Sequence, residues 1–235
     1  LQISGTTGTS GDVIETTVAK VSSSGGAVYI TETDNLEIGT NSIISINRVD
    51  TTAAITTSSH IAIDGITSNG VVSIISGGSI TQNKNISSSL STATISLEAL
   101  TNITMADGTS TSSTNGNITL KATNGAIISE LINAGNANVS LTAGTTIDDI
   151  DASSLITATD LTLKSGSGVG SFANNLMDFA KFPAGVESSA FGSRAPITLT
   201  AVRTTSIGCA DSGRSSITFL TTGSSARMDR SCFTK

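Results

Sequence analysis

The 235-residue chain is short of the side chains that build ordinary cores and surfaces: aromatics are 3%, charged residues 13%, and tryptophan is missing. An ordinary globular domain carries nearer a quarter charged residues. With so few rings the interior must be thin and filled by branched aliphatics, which argues against a sandwich or an α/β enzyme. Proline occurs twice, and low charge with regular Ile, Val and Leu argues against disorder. Two cysteines suit either an oxidising or a reducing compartment. One histidine, His60, with no cysteine near it in sequence, argues against zinc. No apolar run reaches the roughly 18 residues of a membrane helix, so no membrane insertion of this segment is expected.

The net charge of −6 hides a split. Up to Ser193 there are 6 Lys/Arg against 16 Asp/Glu; from Arg194 onward there are 6 against 2. An acidic body lacks the basic stripe that nucleic acid requires, so no nucleic-acid partner is expected. The chain begins with Leu1 and shows no signal peptide, and reads as a piece of a longer protein.

What the sequence does have is a repeat. Val72-Ser-Ile74, Ile95-Ser-Leu97, Ile118-Thr-Leu120, Val139-Ser-Leu141 and Leu161-Thr-Leu163 begin 23, 23, 21 and 22 residues apart. A second apolar position follows each at Ile80, Ile103, Ile127, Ile147 and Val169. Periods of this length mean solenoids, and strict alternation of β-branched residues makes the coil of strands. The fold class read from this is all-β: a single-stranded right-handed parallel β-helix with coils of about 20–23 residues, the hand following the general rule for parallel crossovers. Stacking puts an Ile/Val/Leu ladder inside and a Ser/Thr ladder outside, with rungs about 4.8 Å apart. Ten or so coils would make a rod roughly 50 Å long.

The array proper is expected to begin at Gly26-Ala-Val28. Val28 and Val72 are 44 residues apart, read as two coils, with Ile44-Ser-Ile46, Ile55 and Ile61-Ala-Ile63 as candidate strands. Gly77-Gly78, Asn115-Gly116 and Asn124-Gly125 are read as corners between faces, several such residues needing positive φ. Residues 1–170 thus form the β-helix segment. Residues 171–193, where phenylalanine and proline first appear, read as an insertion or loop over the rod. Residues 194–235 read as a divergent continuation, with Ile197-Thr-Leu199 and Ile217-Thr-Phe219 as further coils, or as an atypical tail.

The segments Gly25–Ile38, Gly116–Ile128 and Ala137–Ile147 resemble coils of bacterial filamentous-haemagglutinin-like large exoproteins, a resemblance that covers about 11–170. It implies a right-handed parallel β-helix, export across an outer membrane through a partner barrel of the two-partner type, and life as an adhesin at the cell surface or outside the cell. It names no ligand. The implied partners are an unidentified receptor or glycan on a host or neighbouring cell, and the outer-membrane secretion partner. No motif of the family's secretion domain is identifiable.

Candidate sites are few. Asp148, Asp149 and Asp151 form the densest acidic group, read as solvated turn acids, with calcium as the alternative ligand. Asp148 and Asp149 should face opposite ways, so they make no glycosidase pair. His60 reads as a surface or turn residue, and Tyr29 as outward. Glu98 and Lys121 should meet one rung apart. Cys209 and Cys232, one period apart, would suit a disulfide if stacked, but the preceding anchors are 20 apart, which leaves the pairing open. No catalytic, cofactor-binding or metal-binding residue is assigned, and no cofactor is expected. The expected function is a structural stalk or adhesive segment, not an enzyme, with binding by the outward hydroxyl ladders or by residues 171–193. The alternative is a carbohydrate-active β-helix enzyme, a polysaccharide lyase or hydrolase.

Overall fold

An alternating segment such as Ile95-Ser-Leu97-Glu-Ala99 turns its first, third and fifth side chains to one side. It is buried only if a similar neighbour lies above and below. The computed structural model places those neighbours one coil away. It describes residues 1–151 and 153–170 in full, and 179–180 and 197–200 by strand pairing alone.

Among the described residues there are strands and turns and no helix. The strands stack in parallel as a β-solenoid of about seven turns, which at 4.8 Å per rung come to about 34 Å over the described residues. Each coil has three faces. The first carries the long strands Val28–Glu32, Val72–Ser76, Ile95–Ala99, Ile118–Ala122, Val139–Ala143 and Leu161–Ser165. The second carries Leu36–Ile38, Ile80–Gln82, Ile103–Met105, Ile127–Ser129 and Thr146–Asp149. The third carries Ile66–Ser68, Ile86–Ser88, Ser110–Ser113, Leu131–Asn133 and Leu155–Thr157.

The register is like on like. Ile95, Ile118 and Val139 are successive partners, as are Leu97, Leu120 and Leu141, and Ala99, Ala122 and Ala143. All nine are buried. Each fully buried aliphatic side chain contributes about 1.5–3 kcal/mol.

Four expectations change. The array begins before Gly26: Gln2–Ser4 pairs with Ser22–Ser24, and Ile14–Thr16 pairs with Ile30–Glu32. The 44 residues between Val28 and Val72 are one coil, not two, because Val72 pairs directly with Val28 and Ile80 with Leu36. The surplus leaves the rod as an antiparallel hairpin, Ile44–Val49 with Ile55–His60. The corner glycines Gly77, Gly116 and Gly125 do not have positive φ. They are needed for close approach: a Cβ on Gly116 would stand 1.8 Å from the Ala93 carbonyl oxygen of the preceding coil. Hydroxyls, finally, are not confined to the outside.

Ser68, Ser88 and Ser113 are buried in one vertical row at the corner leading into the first face. Ser68 donates to the Gly26 carbonyl (2.8 Å) and accepts from the Gly70 N–H (2.9 Å), and Ser88 donates to the Gly70 carbonyl (2.8 Å). Tight corners leave peptide groups without a strand partner, and buried peptide groups must be paired; these serines do it. Asparagines do the same outside: Asn35, Asn102 and Asn117 accept from the backbone N–H of Ser79 (2.8 Å), Ala126 (2.9 Å) and Asn138 (3.0 Å).

Glu32 occupies the inward place held elsewhere by Ser or Ala and is buried. It accepts from the Thr16 hydroxyl, from Val18 N–H (2.8 Å) and from Thr33 N–H (3.0 Å). Burial alone would push its carboxyl up, but the Thr16 hydroxyl and the backbone N–H groups of Val18, Thr33 and Asp34 outweigh it and hold the carboxyl below its ordinary value.

Ile197–Thr200 runs antiparallel to Leu161–Ser165 rather than adding a parallel rung, and Phe179–Ala180 pairs in parallel with Ile156-Thr157 on the third face. The rest of 171–193 and 194–235, including Ile217-Thr-Phe219, Cys209 and Cys232, lies outside the described residues.

Two outcomes are expected. Asn41 and Ile63 are cross-strand partners at the hairpin's base, so joining them through an Asn-Gly turn excises the hairpin without disturbing a rung. The melting temperature should move by less than about 4 °C; a larger fall would mean that the hairpin is part of the core. Glu32→Gln should cost about 1–3 kcal/mol at neutral pH. Because the folded value is depressed, this contribution is complete above pH 4.5 and drains away as pH falls through the folded value. Denaturant titrations at pH 7 and 3 should show the gap from wild type closing in acid; a constant gap would refute the assignment.

Candidate binding site

The one long excursion from the rod among the described residues lies between the second face, ending at Ile38, and the third, resuming at Ile66. Its base is a short antiparallel pair, Thr40–Asn41 with Ile63–Asp64. Six rungs of hairpin follow, from Ile44 opposite His60 to Val49 opposite Ile55. The tip is an Asx-type turn. The Asp50 carboxylate accepts from the Thr52 N–H (2.8 Å), the Thr52 hydroxyl (2.7 Å) and the Ala54 N–H (3.0 Å). Those bonds, the Thr52 hydroxyl foremost, hold Asp50 below the usual carboxylate range. Ala53 takes a positive φ of 63° to close the turn.

Every residue of both hairpin strands is exposed. Val49 and Ile55 at the tip are 69% and 70% exposed, and Ile61 at the base 79%. The hairpin leans on the third face where its base is tied down. Gln2 donates its side-chain amide to the Ile61 carbonyl, and Asn41 donates to the Leu1 carbonyl (2.9 Å) and to Ser22 Oγ (2.9 Å). Between hairpin and rod lies a cleft of about 550 Å³. One wall is Ile44, Ile46, His60 and Ile61; the other is Gln2, Ser4, Ser24 and Thr67.

Asp64 and Thr67 also line a second hollow of about 520 Å³ along the third face, so the two adjoin at these residues. Its lining is polar, with Asn85, Ser87, Asp107 and Ser112 among it. The Lys84 ammonium stands 3.6 Å from the Asp64 carboxylate. The Thr40 hydroxyl first, and Lys84 after it, hold Asp64 below the usual carboxylate range. A glycosidase acid needs the opposite shift.

His60 is exposed, as expected of a surface residue, but it stands in a strand that helps to wall a cleft. Tyr29 faces outward and is half-buried; its N–H donates to the Thr7 carbonyl (2.8 Å), and Gly8 lies against its Cβ. Glu98 and Lys121 meet at 2.5 Å across one rung, an exposed pair worth about 0–1 kcal/mol. Asp148 and Asp149 do face opposite ways, in the strand Thr146–Asp149. Asp149 is buried rather than a solvated turn acid. This corrects the reading of the group, since alternation along that strand carries every second side chain inward. Asp151 alone is a turn acid: it accepts from the Ser153 hydroxyl (2.6 Å) and N–H (2.8 Å), bonds that hold it below its usual range. Among the described residues no three His, Cys, Asp or Glu side chains converge as a metal site.

Added calcium should therefore shift no amide resonance at Asp148–Asp151; saturable shifts there would contradict this geometry. No family model, no curated protein and no solved structure matches this chain.

Proposed function

We propose that the chain is an adhesive stalk segment of a secreted or surface-exposed bacterial exoprotein of the filamentous-haemagglutinin-like kind, acting by display and not by catalysis. The observation that carries this reading is the hairpin, fully exposed with Val49 and Ile55 bare beside its turn, projecting from a rod whose rungs continue undisturbed beneath it. Along the first face the outward row Ser73, Ser96, Thr119, Ser140 and Thr162 offers half-buried hydroxyls in register. Such a surface suits a spacer: it is wet, uniform and without a focused charge. The depressed carboxyl of Asp64 favours a binding surface over an acid catalyst. The coil resemblance supports export through an outer-membrane partner barrel and a receptor or glycan on another cell as the target.

Surfaces coated with the full chain, with the hairpin-excised form and with albumin test the reading. Bacterial, fungal and animal cells washed over them should be retained severalfold above albumin by the full chain, and at the albumin level by the excised form. Retention of no cell type by the full chain would sink the adhesive role. Equal retention by both forms would remove the hairpin from it.

A further inference from the structure

We propose that the cleft under the hairpin and the polar hollow that continues it form one binding site for a neutral oligosaccharide. This deepens the adhesive reading and rests on it. In a parallel solenoid the peptide N–H and C=O groups point along the rod and are used by the coils above and below. On the third face Ile66 N–H is taken by the Asn85 carbonyl at 2.9 Å and Ser23 N–H by the Gly65 carbonyl at 2.9 Å. A ligand lying across that face therefore meets side chains only. Those on offer are hydroxyls: Thr67, Ser87 and Ser112 are successive partners in one outward row, about 4.8 Å apart. Each can donate and accept, and within the described residues none is used in a hydrogen bond.

At the Thr67 end of the row the cleft has a wall of different chemistry. Ile44 and Ile46 lie two apart on the hairpin, hence on one face, with His60 opposite Ile44. An apolar wall at one end and a hydroxyl row running on from it match a sugar chain, whose rings have C–H faces and hydroxyl edges. The wall is fixed, because Gln2 and Asn41 tie the hairpin base to the rod. The volume, about 550 Å³ under the hairpin and about 520 Å³ beyond, suits several sugar units.

Charge decides which sugar. Asp64 and Asp107 border the site with Lys84 as the cation beside them, and the chain up to Ser193 carries 16 acidic against 6 basic residues. A polyanionic glycan would be repelled. A peptide strand would add to the free edges of the hairpin and leave the Thr67–Ser112 row untouched.

The test is amide chemical-shift mapping and calorimetry on the full chain. The probes are cellohexaose, chitohexaose and a linear galactan hexamer, with hexagalacturonate as the anionic counterpart and an Ile/Thr-rich hexapeptide as the strand. At least one neutral hexamer should bind saturably, with shifts confined to Thr67, Ser87, Ser112 and the hairpin base. The Ser87→Ala/Ser112→Ala double variant should bind about tenfold more weakly, and so should Ile46→Asp, both keeping the wild-type melting temperature. The proposal is overturned if no neutral hexamer binds at millimolar concentration, if hexagalacturonate or the peptide binds in preference, or if the double variant binds like wild type. Cell retention without hexamer binding overturns this site alone and leaves the adhesive reading standing; hexamer binding without cell retention does the reverse.

Discussion

Each rung of this protein must present to its neighbours, about 4.8 Å away, inward side chains of nearly the same width. That constraint explains the odd composition. A ring is too wide to repeat in a thin interior, so branched aliphatics fill it and small residues take the places beside the corners, as Ala99, Ala122 and Ala143 do. A charge is tolerated inside where it is fully served, as Glu32 is by Thr16, Val18 and Thr33. Because the hydrogen bonds of the coil strands run along the rod, its sides are left to side chains, and binding chemistry there becomes a matter of which hydroxyl, amide or aliphatic stands outward.

The parts of this plan that follow from period-two alternation are visible in the residues themselves. The Ile/Leu/Ala ladders, the Glu98–Lys121 contact and the opposed directions of Asp148 and Asp149 all follow from counting along a strand. The hairpin does not, because Ile44-Ser-Ile46 copies the start of a rung and 44 is twice the period. The fifth residue of that run is Arg48, where rungs of the rod carry Glu32, Ser76, Ala99, Ala122 or Ser165; Arg48 is cationic where none of these is, and it is exposed. Alternation in Ile66-Thr-Ser68 already turns Ser68 inward beside Ile66; what it does not show is the tight corner whose Gly26 carbonyl Ser68 serves.

The cleft lies one step further from the sequence. Its walls come from strands that are neighbours in space only because Gln2 and Asn41 hold the hairpin base against the third face. No local pattern encodes that angle. The excursion also enters at a corner, where the chain already leaves one face for the next. Pairing resumes as though nothing had intervened, with Ile66 beside Ser23 and Val72 beside Val28. Scaffold and displayed element are thereby separable: the rungs carry the core, and the insertion adds exposed surface to it.

The alignment of hydrogen bonds with the rod has a mechanical meaning. A load pulling the rod lengthwise stretches these bonds in line and peels them in sequence, so the coils yield one at a time instead of shearing together. An ordinary coil pays out about 22 residues, or roughly 75 Å of chain. The coil that begins at Val28 holds 44 residues and pays out about 150 Å. A load applied through the hairpin would thus pull on a coil with twice the ordinary reserve of length, and that rung would act as a shock absorber.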